Sequence, residues 1–260
     1  MTEAAARRAR IMAVTSGKGG VGKTFVSANL AAALARLGER VLVLDADLGL
    51  ANLDVVLNLF PKITLHDVFT GRHALDEAIL PAPGGFSVLL AGSGMVEYSR
   101  MTPELREQLQ QVVAEVAARF DRVLLDTGAG ISDVVLYTVS LADEVLVVAT
   151  PEPTAITDAY ATIKVLATTQ GRAELRLVVN QTRRNGEGRG VHGQLQQVLD
   201  RYVAPTLQGG LRLNLLGELP VDAAVREAVQ RRELLLQAMP GAQAAQALMT
   251  LARRLSDAAP

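Results

Sequence analysis

A glycine-rich segment near the amino terminus restricts the fold of this 260-residue chain more than any other feature. It follows the apolar run 11–15, precedes a helical pattern and matches the spacing G-x-x-x-x-G-K-S/T. Glycines at this spacing let the backbone curl around phosphate oxygens, and the following helix adds its positive dipole end. We therefore predict an α/β fold with a nucleotide phosphate site, which we favour over a glycine-rich turn that binds nothing. The segment, called the phosphate loop below, consists of Gly17, Lys18, Gly19, Gly20, Val21, Gly22, Lys23 and Thr24.

Short runs rich in Val and Leu recur along the whole chain and alternate with helical patterns. Near-continuous apolar runs are typical of parallel strands that are buried on both faces. We predict a single doubly wound, mostly parallel sheet with helices on both faces, formed by residues 10–260 after a short tail, 1–9. The predicted strands are 11–15, 40–45, 86–91, 122–126, 144–149, 175–180 and 215–219.

Helices are predicted where apolar residues recur at helical spacing between these strands. One follows Thr24 and ends at Gly38, and another begins with Thr102 as N-cap and Pro103 as first residue. The others are 133–141, 154–169, 193–202, 223–231 and 242–255, whereas 182–193, rich in Gly and Arg, is predicted to be a mobile surface loop.

Composition excludes several classes of site. The sequence has no Cys, which excludes disulfides, thiolate metal sites and cysteine nucleophiles. A net charge of −1 does not by itself indicate nucleic-acid binding. No apolar run approaches the ~18 residues of a spanning helix, and no signal-peptide core follows the first arginines, so we expect a cytoplasmic protein.

Three carboxylates follow predicted strands and are expected near the phosphate loop. In α/β sheets ligands collect at the carboxyl ends of strands, where Asp45, Asp47 and Asp126 lie. Lys23 is expected to reach the β- and γ-phosphates, and the Thr24 hydroxyl to coordinate Mg²⁺. A turn or helix-cap role is the commoner one for any single Asp. Together these residues predict a site for ATP and Mg²⁺.

The second lysine of the phosphate loop gives the chain a more specific resemblance. The run 18–24 resembles the deviant phosphate loop of the MinD/ParA family of ATPases. The resemblance implies an ATP-dependent homodimer in which Lys18 reaches the nucleotide of the partner subunit. It further implies that Asp47 positions the attacking water, that Asp45 and Asp126 support Mg²⁺, and that Asn52 contacts the partner. Catalytic roles thus fall on Lys18, Lys23 and Asp47, and metal roles on Thr24, Asp45, Asp47 and Asp126.

The resemblance also implies where the adenine base lies. Asn180 is expected to bond the amino edge of adenine, and the backbone of Pro220 and Val221 to flank the ring. The competing interpretation is that these are plain turn residues. The glycines in 127–130 resemble the second switch segment of the family and permit backbone rearrangement.

Within the family, the segments 49–54, 126–132 and 150–154 are most similar to the FlhG/FleN regulators. That similarity implies regulation of flagellar number or placement, through a transcriptional activator or a partner GTPase. Residues 1–8 lack the Asp-Gln-Ala motif common in such proteins. The helix 242–255 is expected to pack on the body of the protein, which we favour over membrane targeting because it has few basic and aromatic residues.

Two other functions remain open at this point. A ParA-like DNA-bound positioning protein would use a basic patch of Arg172, Arg176, Arg183, Arg184 and Arg189, although we favour a solvated arginine loop. A binding module without hydrolysis is the third possibility, and the retained lysines and carboxylates argue against it.

Overall fold

Eight strands form the sheet of this protein, as described by a computed structural model for residues 8–49, 51–92, 98 and 100–257. Residues 1–7 of the predicted tail and Leu50 of the 49–54 segment lie outside the described residues. The strands are β1 (Arg10–Ser16), β2 (Val41–Ala46), β3 (Ile79–Pro81), β4 (Ser87–Leu89), β5 (Arg122–Ala129), β6 (Glu144–Ala149), β7 (Glu174–Thr182) and β8 (Arg212–Pro220).

The strand order is β3-β4-β2-β5-β1-β6-β7-β8, and every neighbouring pair is parallel except β3 with β4. The predicted mostly parallel α/β sheet is therefore confirmed, and all seven predicted strands are present. The additional strand, β3, has three residues at the sheet edge, too few to show an alternating pattern in the sequence.

Successive strand residues point to opposite sides of the sheet. Both faces of the sheet are therefore apolar, and helices cover both. Ile11 and Ala13 of β1 belong to one apolar cluster, and Met12 and Val14 belong to the other. Helices α3 to α8 contribute to the first cluster, and α1, α2 and α9 to α11 to the second. Their bounds are α1 (Lys23–Arg36), α2 (Leu53–Leu57), α3 (Leu65–Phe69), α4 (Leu75–Ala78), α5 (Pro103–Ala117), α6 (Asp133–Ser140), α7 (Pro153–Gln170), α8 (Glu187–Tyr202), α9 (Ala223–Arg231), α10 (Leu235–Ala238) and α11 (Gln243–Asp257).

The predicted helix ends at Gly38 and Thr102 are confirmed. Gly38 follows α1 with a left-handed φ of 93°, and its amide donates to the carbonyl oxygen of Ala35. The Thr102 hydroxyl accepts a hydrogen bond from the Leu105 amide, and Pro103 is the first residue of α5.

The prediction of a mobile loop over 182–193 was wrong, because α8 already begins at Glu187. The first half of this helix contains glycines at 186, 188, 190 and 193 and several arginines. Glycine has a low helix propensity, so this stretch does not show a helical pattern in the sequence. The four short helices α2, α3, α4 and α10 were also missed, since each has only four or five residues.

Helix α11 packs on the body, as predicted. Leu248, Leu251 and Leu255 are at most 1% exposed, and the Arg254 guanidinium donates to the carbonyl oxygen of Leu216 on β8. Within the described part of the chain, no helix combines the length and the apolarity required to cross a bilayer.

Candidate nucleotide site

The phosphate loop joins the central strand β1 to the amino terminus of α1. Gly20 and Gly22 have left-handed φ values of 79° and 93°, which curl the backbone between the two elements. Because the N-cap of α1 is Gly22, which has no side chain, the first amides of this helix stay available for an anion. The local geometry is that of an anion cradle.

Packing leaves no room for a side chain at two glycines of the phosphate loop. A Cβ at Gly17 would lie 2.1 Å from the Asp158 carbonyl oxygen of α7, and one at Gly22 would lie 2.5 Å from Nδ2 of Asn180. At Gly19, by contrast, an added Cβ would meet no heavy atom of the described residues within 4 Å. The loop is therefore held directly against α7 and β7.

Lys23 and Asp126 form a buried charged group at the start of α1. The Lys23 side chain belongs to a residue only 9% exposed, and burial lowers its pKa while Asp126 and Asp47 oppose that change. Oδ1 of Asp126 accepts a hydrogen bond of 2.8 Å from the Ser27 hydroxyl. Burial raises the pKa of Asp126 to about 6, against the opposing effects of Ser27, Thr24 and Lys23.

Asp45 lies beside Asp126 in the register of β2 and β5 and is fully buried. Its two carboxylate oxygens accept hydrogen bonds from the amides of Asp47 at 3.2 Å and Leu53 at 3.3 Å. Burial, followed by repulsion from Asp126, raises the pKa of Asp45 well above its ordinary value. Asp45 thus shapes the segment that follows β2, and its predicted support of Mg²⁺ stays a prediction.

A cavity of about 580 Å³, called the phosphate-loop cavity, is lined by five residues of the phosphate loop and by Asp47. Asp47 enters it from the segment after β2, and a Cβ at Gly128 would lie 3.3 Å from Oδ1 of Asp47. Its volume is in the range of small-molecule sites. The lining residues are Gly19, Gly20, Gly22, Lys23, Thr24, Phe25, Ala46, Asp47, Leu48, Gly49, Asn52, Tyr98, Gly128, Ala129, Ser132, Val134 and Val135.

The Lys18 side chain contacts the start of α7, whereas Lys23 lines the phosphate-loop cavity. Its Nζ contacts Oε2 of Glu152 at 3.1 Å and the Thr154 hydroxyl at 3.0 Å, both at the start of α7 of the same chain. Within one chain, the second lysine of the loop is therefore bonded away from the phosphate-loop cavity.

Asn180 connects the phosphate loop with the end of β7. It is 8% exposed; Nδ2 donates to the Val21 carbonyl oxygen at 2.8 Å, and Oδ1 accepts from the Gln181 amide at 2.9 Å. Gln181 itself has a φ of 60°, an unusual conformation for a non-glycine residue. Asn180 therefore connects the phosphate loop to β7 through hydrogen bonds. Its contact with adenine stays a prediction.

A second cavity, about 230 Å³, lies beside the ends of β7 and β8 and is called the β7–β8 cavity. Val221, predicted to flank the base, lines it and is 59% exposed, while Pro220 ends β8 opposite Thr182. The Val221 amide donates to the Thr182 carbonyl oxygen at 2.8 Å. The lining residues are Thr150, Pro151, Glu152, Gln181, Arg183, Glu187 and Val221.

The sequence matches a family model over nearly its whole length. A model described as ParA, NUBPL iron-transfer P-loop NTPase, matches residues 7–256. The chain belongs to the ParA family of P-loop NTPases.

Individual ParA-family relatives cover nearly the whole chain. The antiactivator FleN of Pseudomonas aeruginosa is 43% identical over 248 residues, 95% of this chain and 86% of FleN. The flagellum site-determining protein YlxH of Helicobacter pylori is 35% identical over 233 residues, 89% of this chain and 76% of YlxH. The solved septum site-determining protein MinD of Pyrococcus horikoshii, complexed with Mg-ADP, has a TM-score of 0.77 and 28% identity, covering 95% of this chain and 96% of that one. The predicted MinD/ParA family with FlhG/FleN-like relatives is confirmed.

The iron-transfer part of the ParA-family description does not suit this chain. The sequence contains no Cys and therefore offers no thiolate to an iron–sulfur cluster.

Several residues near the two cavities were not predicted from the sequence as site residues. Ser27, which bonds Asp126, is a polar residue on the buried face of α1, and its position one helical turn after Thr24 was a usable signal. The sequence did not indicate that Glu152 lines one cavity with Arg183 and Glu187, because Glu152 lies about 30 residues before them and meets them only in the folded chain.

The five arginines considered as a DNA-binding patch do not form one surface. Arg172 donates to carbonyl oxygens at the end of α6, including that of Ala142 at 2.6 Å, and Arg176 pairs with Glu144. Both lie near the start of β7, whereas Arg183, Arg184 and Arg189 follow its other end, about 20 Å away. The five arginines therefore do not make the single basic patch that the DNA-binding alternative would use, and that alternative was not the favoured one.

Proposed function

We propose that this chain is an ATP-dependent dimerising switch that hydrolyses ATP slowly and regulates flagellar number or placement. The observation that carries the proposal is that Lys23 and Asp47 line the phosphate-loop cavity, with the buried carboxylate of Asp126 near Lys23 and bonded to Ser27 of α1. The 43% identity to FleN and the similarity to YlxH support the flagellar role.

Mg²⁺ fits the donor set at the start of α1. Asp126 is a buried carboxylate with a raised pKa, contacted by the hydroxyl-bearing residues Ser27 and Thr24, so a nearby cation would stabilise its ionised form. Thr24 and Asp126 would hold the ion, with Asp45 and Asp47 supporting it. When bound, Mg²⁺ supplies positive charge that stabilises the phosphate oxygens during transfer.

Asp47 has the position and chemistry to orient the water that attacks the γ-phosphorus. Its carboxylate would accept a hydrogen bond from the water as the new P–O bond forms and the bond between the γ-phosphorus and the bridging oxygen breaks, which leaves ADP and inorganic phosphate, with the water's protons carried away on the phosphate. Lys23 stabilises the developing negative charge. No covalent enzyme intermediate is needed.

Lys18 makes turnover depend on assembly. In the single chain its ammonium is bonded to Glu152 and Thr154, so it must leave α7 to reach a nucleotide on the partner subunit. Closure of an ATP-bound dimer would supply that alternative position, so we expect the isolated chain to hydrolyse ATP slowly.

Sedimentation and ATPase assays test the switch. Wild type is expected to dimerise with Mg·ATP and to remain monomeric with Mg·ADP, and Asp47→Ala to stay dimeric with ATP while hydrolysis is lost. Lys18→Ala is expected to lower turnover at least tenfold, whereas Lys164→Ala, an exposed lysine on α7, changes nothing. Equal turnover of Lys18→Ala and wild type in the presence of the partner contradicts the dimer mechanism.

The partner is tested by capture with the trapped dimer. Asp47→Ala with ATP is expected to retain a flagellar transcriptional activator or a partner GTPase, and Lys23→Ala to retain neither. Retention of non-specific DNA that weakens steeply with salt would instead support the DNA-positioning alternative.

A further inference from the structure

Glu218, on β8, holds the amino terminus of α8 by both carboxylate oxygens. Oε1 accepts the Gly186 amide at 2.9 Å, and Oε2 accepts the Gly188 amide at 2.6 Å. A carboxylate at this position stabilises a helix start, because the first amides have no partners within the helix and the dipole is positive there.

Gly188 is matched to this contact. A Cβ at Gly188 would lie 2.6 Å from Oε2 of Glu218 and 2.9 Å from its Cβ. Only a residue without a side chain lets the carboxylate approach the helix so closely. Gly190, two residues further along α8, has no described heavy atom within 4 Å of an added Cβ.

The helix start that Glu218 holds forms one wall of the β7–β8 cavity. Oε2 of Glu187 accepts the Arg183 amide at 2.6 Å, which closes the turn 183–187. Arg183 and Glu187 line the cavity from this turn, and Val221 lines it from the end of β8, three residues after Glu218. One carboxylate therefore fixes the two sides of the cavity relative to each other.

We propose that Glu218 is a positioning residue for the base of the bound nucleotide, acting through the turn 183–187 rather than by touching the base. The proposal rests on the proposed ATP-binding function and names the residue that sets the shape of its base-binding part. Without Glu218, the turn 183–187 samples other conformations, and the apparent affinity falls in proportion to the fraction of molecules in which the wall is formed.

Calorimetric titrations with ATP, GTP and inorganic tripolyphosphate separate the base from the phosphates. Glu218→Ala is expected to raise the Kd for ATP about tenfold and to reduce the preference for ATP over GTP. The Kd for tripolyphosphate is expected to stay unchanged, because this ligand uses the phosphate loop alone. Glu218→Gln, which keeps one acceptor oxygen, is expected to give an intermediate Kd for ATP.

Gly188→Ala and Gly190→Ala form a matched pair on the same helix. Gly188→Ala should weaken ATP binding as Glu218→Ala does, since the new Cβ displaces the carboxylate, and Gly190→Ala should bind ATP as wild type does. Hydrogen exchange at the amides of Gly186 and Gly188 should accelerate in Glu218→Ala and stay slow in Gly190→Ala.

The outcomes distinguish this proposal from the ATP-binding function. If wild type binds ATP and Glu218→Ala binds it equally well with unchanged selectivity, the positioning role is overturned. An equal loss of ATP and tripolyphosphate binding also overturns it, because the defect would then lie in the phosphate loop or the fold. Failure of wild type to bind either ligand refutes the ATP-binding function itself, and the positioning role falls with it.

Discussion

The walls of the phosphate-loop cavity and those of the β7–β8 cavity are held by different forces. Around the first, charged groups are buried, and the pKa values of Lys23, Asp45 and Asp126 are shifted because these groups are withdrawn from water. Around the second, Arg183 is exposed and Glu187 half-buried, and the walls are fixed by hydrogen bonds to backbone amides. Burial of charged groups around the phosphate-loop cavity is unfavourable, and a charged ligand can offset that cost. Recognition by the β7–β8 cavity depends instead on the shape of its walls.

This difference predicts that the phosphate-loop cavity responds to the charged parts of a ligand, and the β7–β8 cavity to the shape of its base. A triphosphate and a cation can stabilise buried charges strongly, since electrostatic interactions are less screened there than in water. A base bound in the β7–β8 cavity would contact side chains that are mostly exposed to solvent, so each contact would contribute little. Substitutions should therefore have large effects in the first cavity and small ones in the second.

Replacement of Lys23 should have the largest effect. Lys23→Ala removes the buried cation of the phosphate loop, so affinity for ATP and for tripolyphosphate should both fall about a thousandfold, or about 4 kcal/mol. Titration calorimetry measures both ligands, and the exposed Lys62→Ala serves as control. A loss confined to ATP would show that Lys23 does not bind phosphate.

Neutralising Asp126 should stabilise the protein when neither nucleotide nor Mg²⁺ is present. Its folded pKa, about 6, lies above the ordinary value of 3.8, so the folded form binds the proton more tightly and stability from this group is lost as pH rises through 6. Asp126→Asn should therefore raise the free energy of unfolding by about 3 kcal/mol at pH 8 and by only about 1 kcal/mol near pH 4.5.

Chemical denaturation in EDTA at the two pH values measures this difference. Asp257→Asn, at an exposed position in the last turn of α11, should show no such dependence. A gain for Asp126→Asn that is the same at both pH values would mean that the carboxylate is not destabilised by burial.

The same contrast explains how much of the molecule could be predicted from the sequence. The phosphate loop was predictable because its function depends on consecutive residues, and Asp126 because it ends an apolar strand. Lys18 was recognised by resemblance, but its bond to Glu152 depends on a contact across 134 positions of the chain. The amino terminus of α8 was predicted as a loop, since the Glu218 carboxylate that stabilises it lies about 30 residues away on β8. Residues that come into contact only in the folded chain produce no periodic pattern in the amino-acid sequence.

Substitution of Gly17 should distinguish packing from phosphate binding within the loop. Gly17→Ala places a Cβ 2.1 Å from the backbone of α7, which cannot move as a side chain can, so stability should fall by about 2 kcal/mol. Gly19→Ala should change stability by less than about 0.5 kcal/mol, because its Cβ meets open space among the described residues. Equal stabilities of the two variants in urea denaturation would contradict the close packing of α7 on the loop.

The smallest effect should come from Val221, at the edge of the β7–β8 cavity. More than half of this residue is exposed, so Val221→Ala removes only a small apolar contact with a bound base. Affinity for ATP should fall roughly threefold, equivalent to about 0.7 kcal/mol, while affinity for tripolyphosphate stays unchanged. Val229→Ala, an equally exposed valine on α9, provides the control and should bind ATP as wild type does. A loss of a hundredfold or more for Val221→Ala would break the contrast between the two cavities, because base contacts would then rival the buried charges in energy.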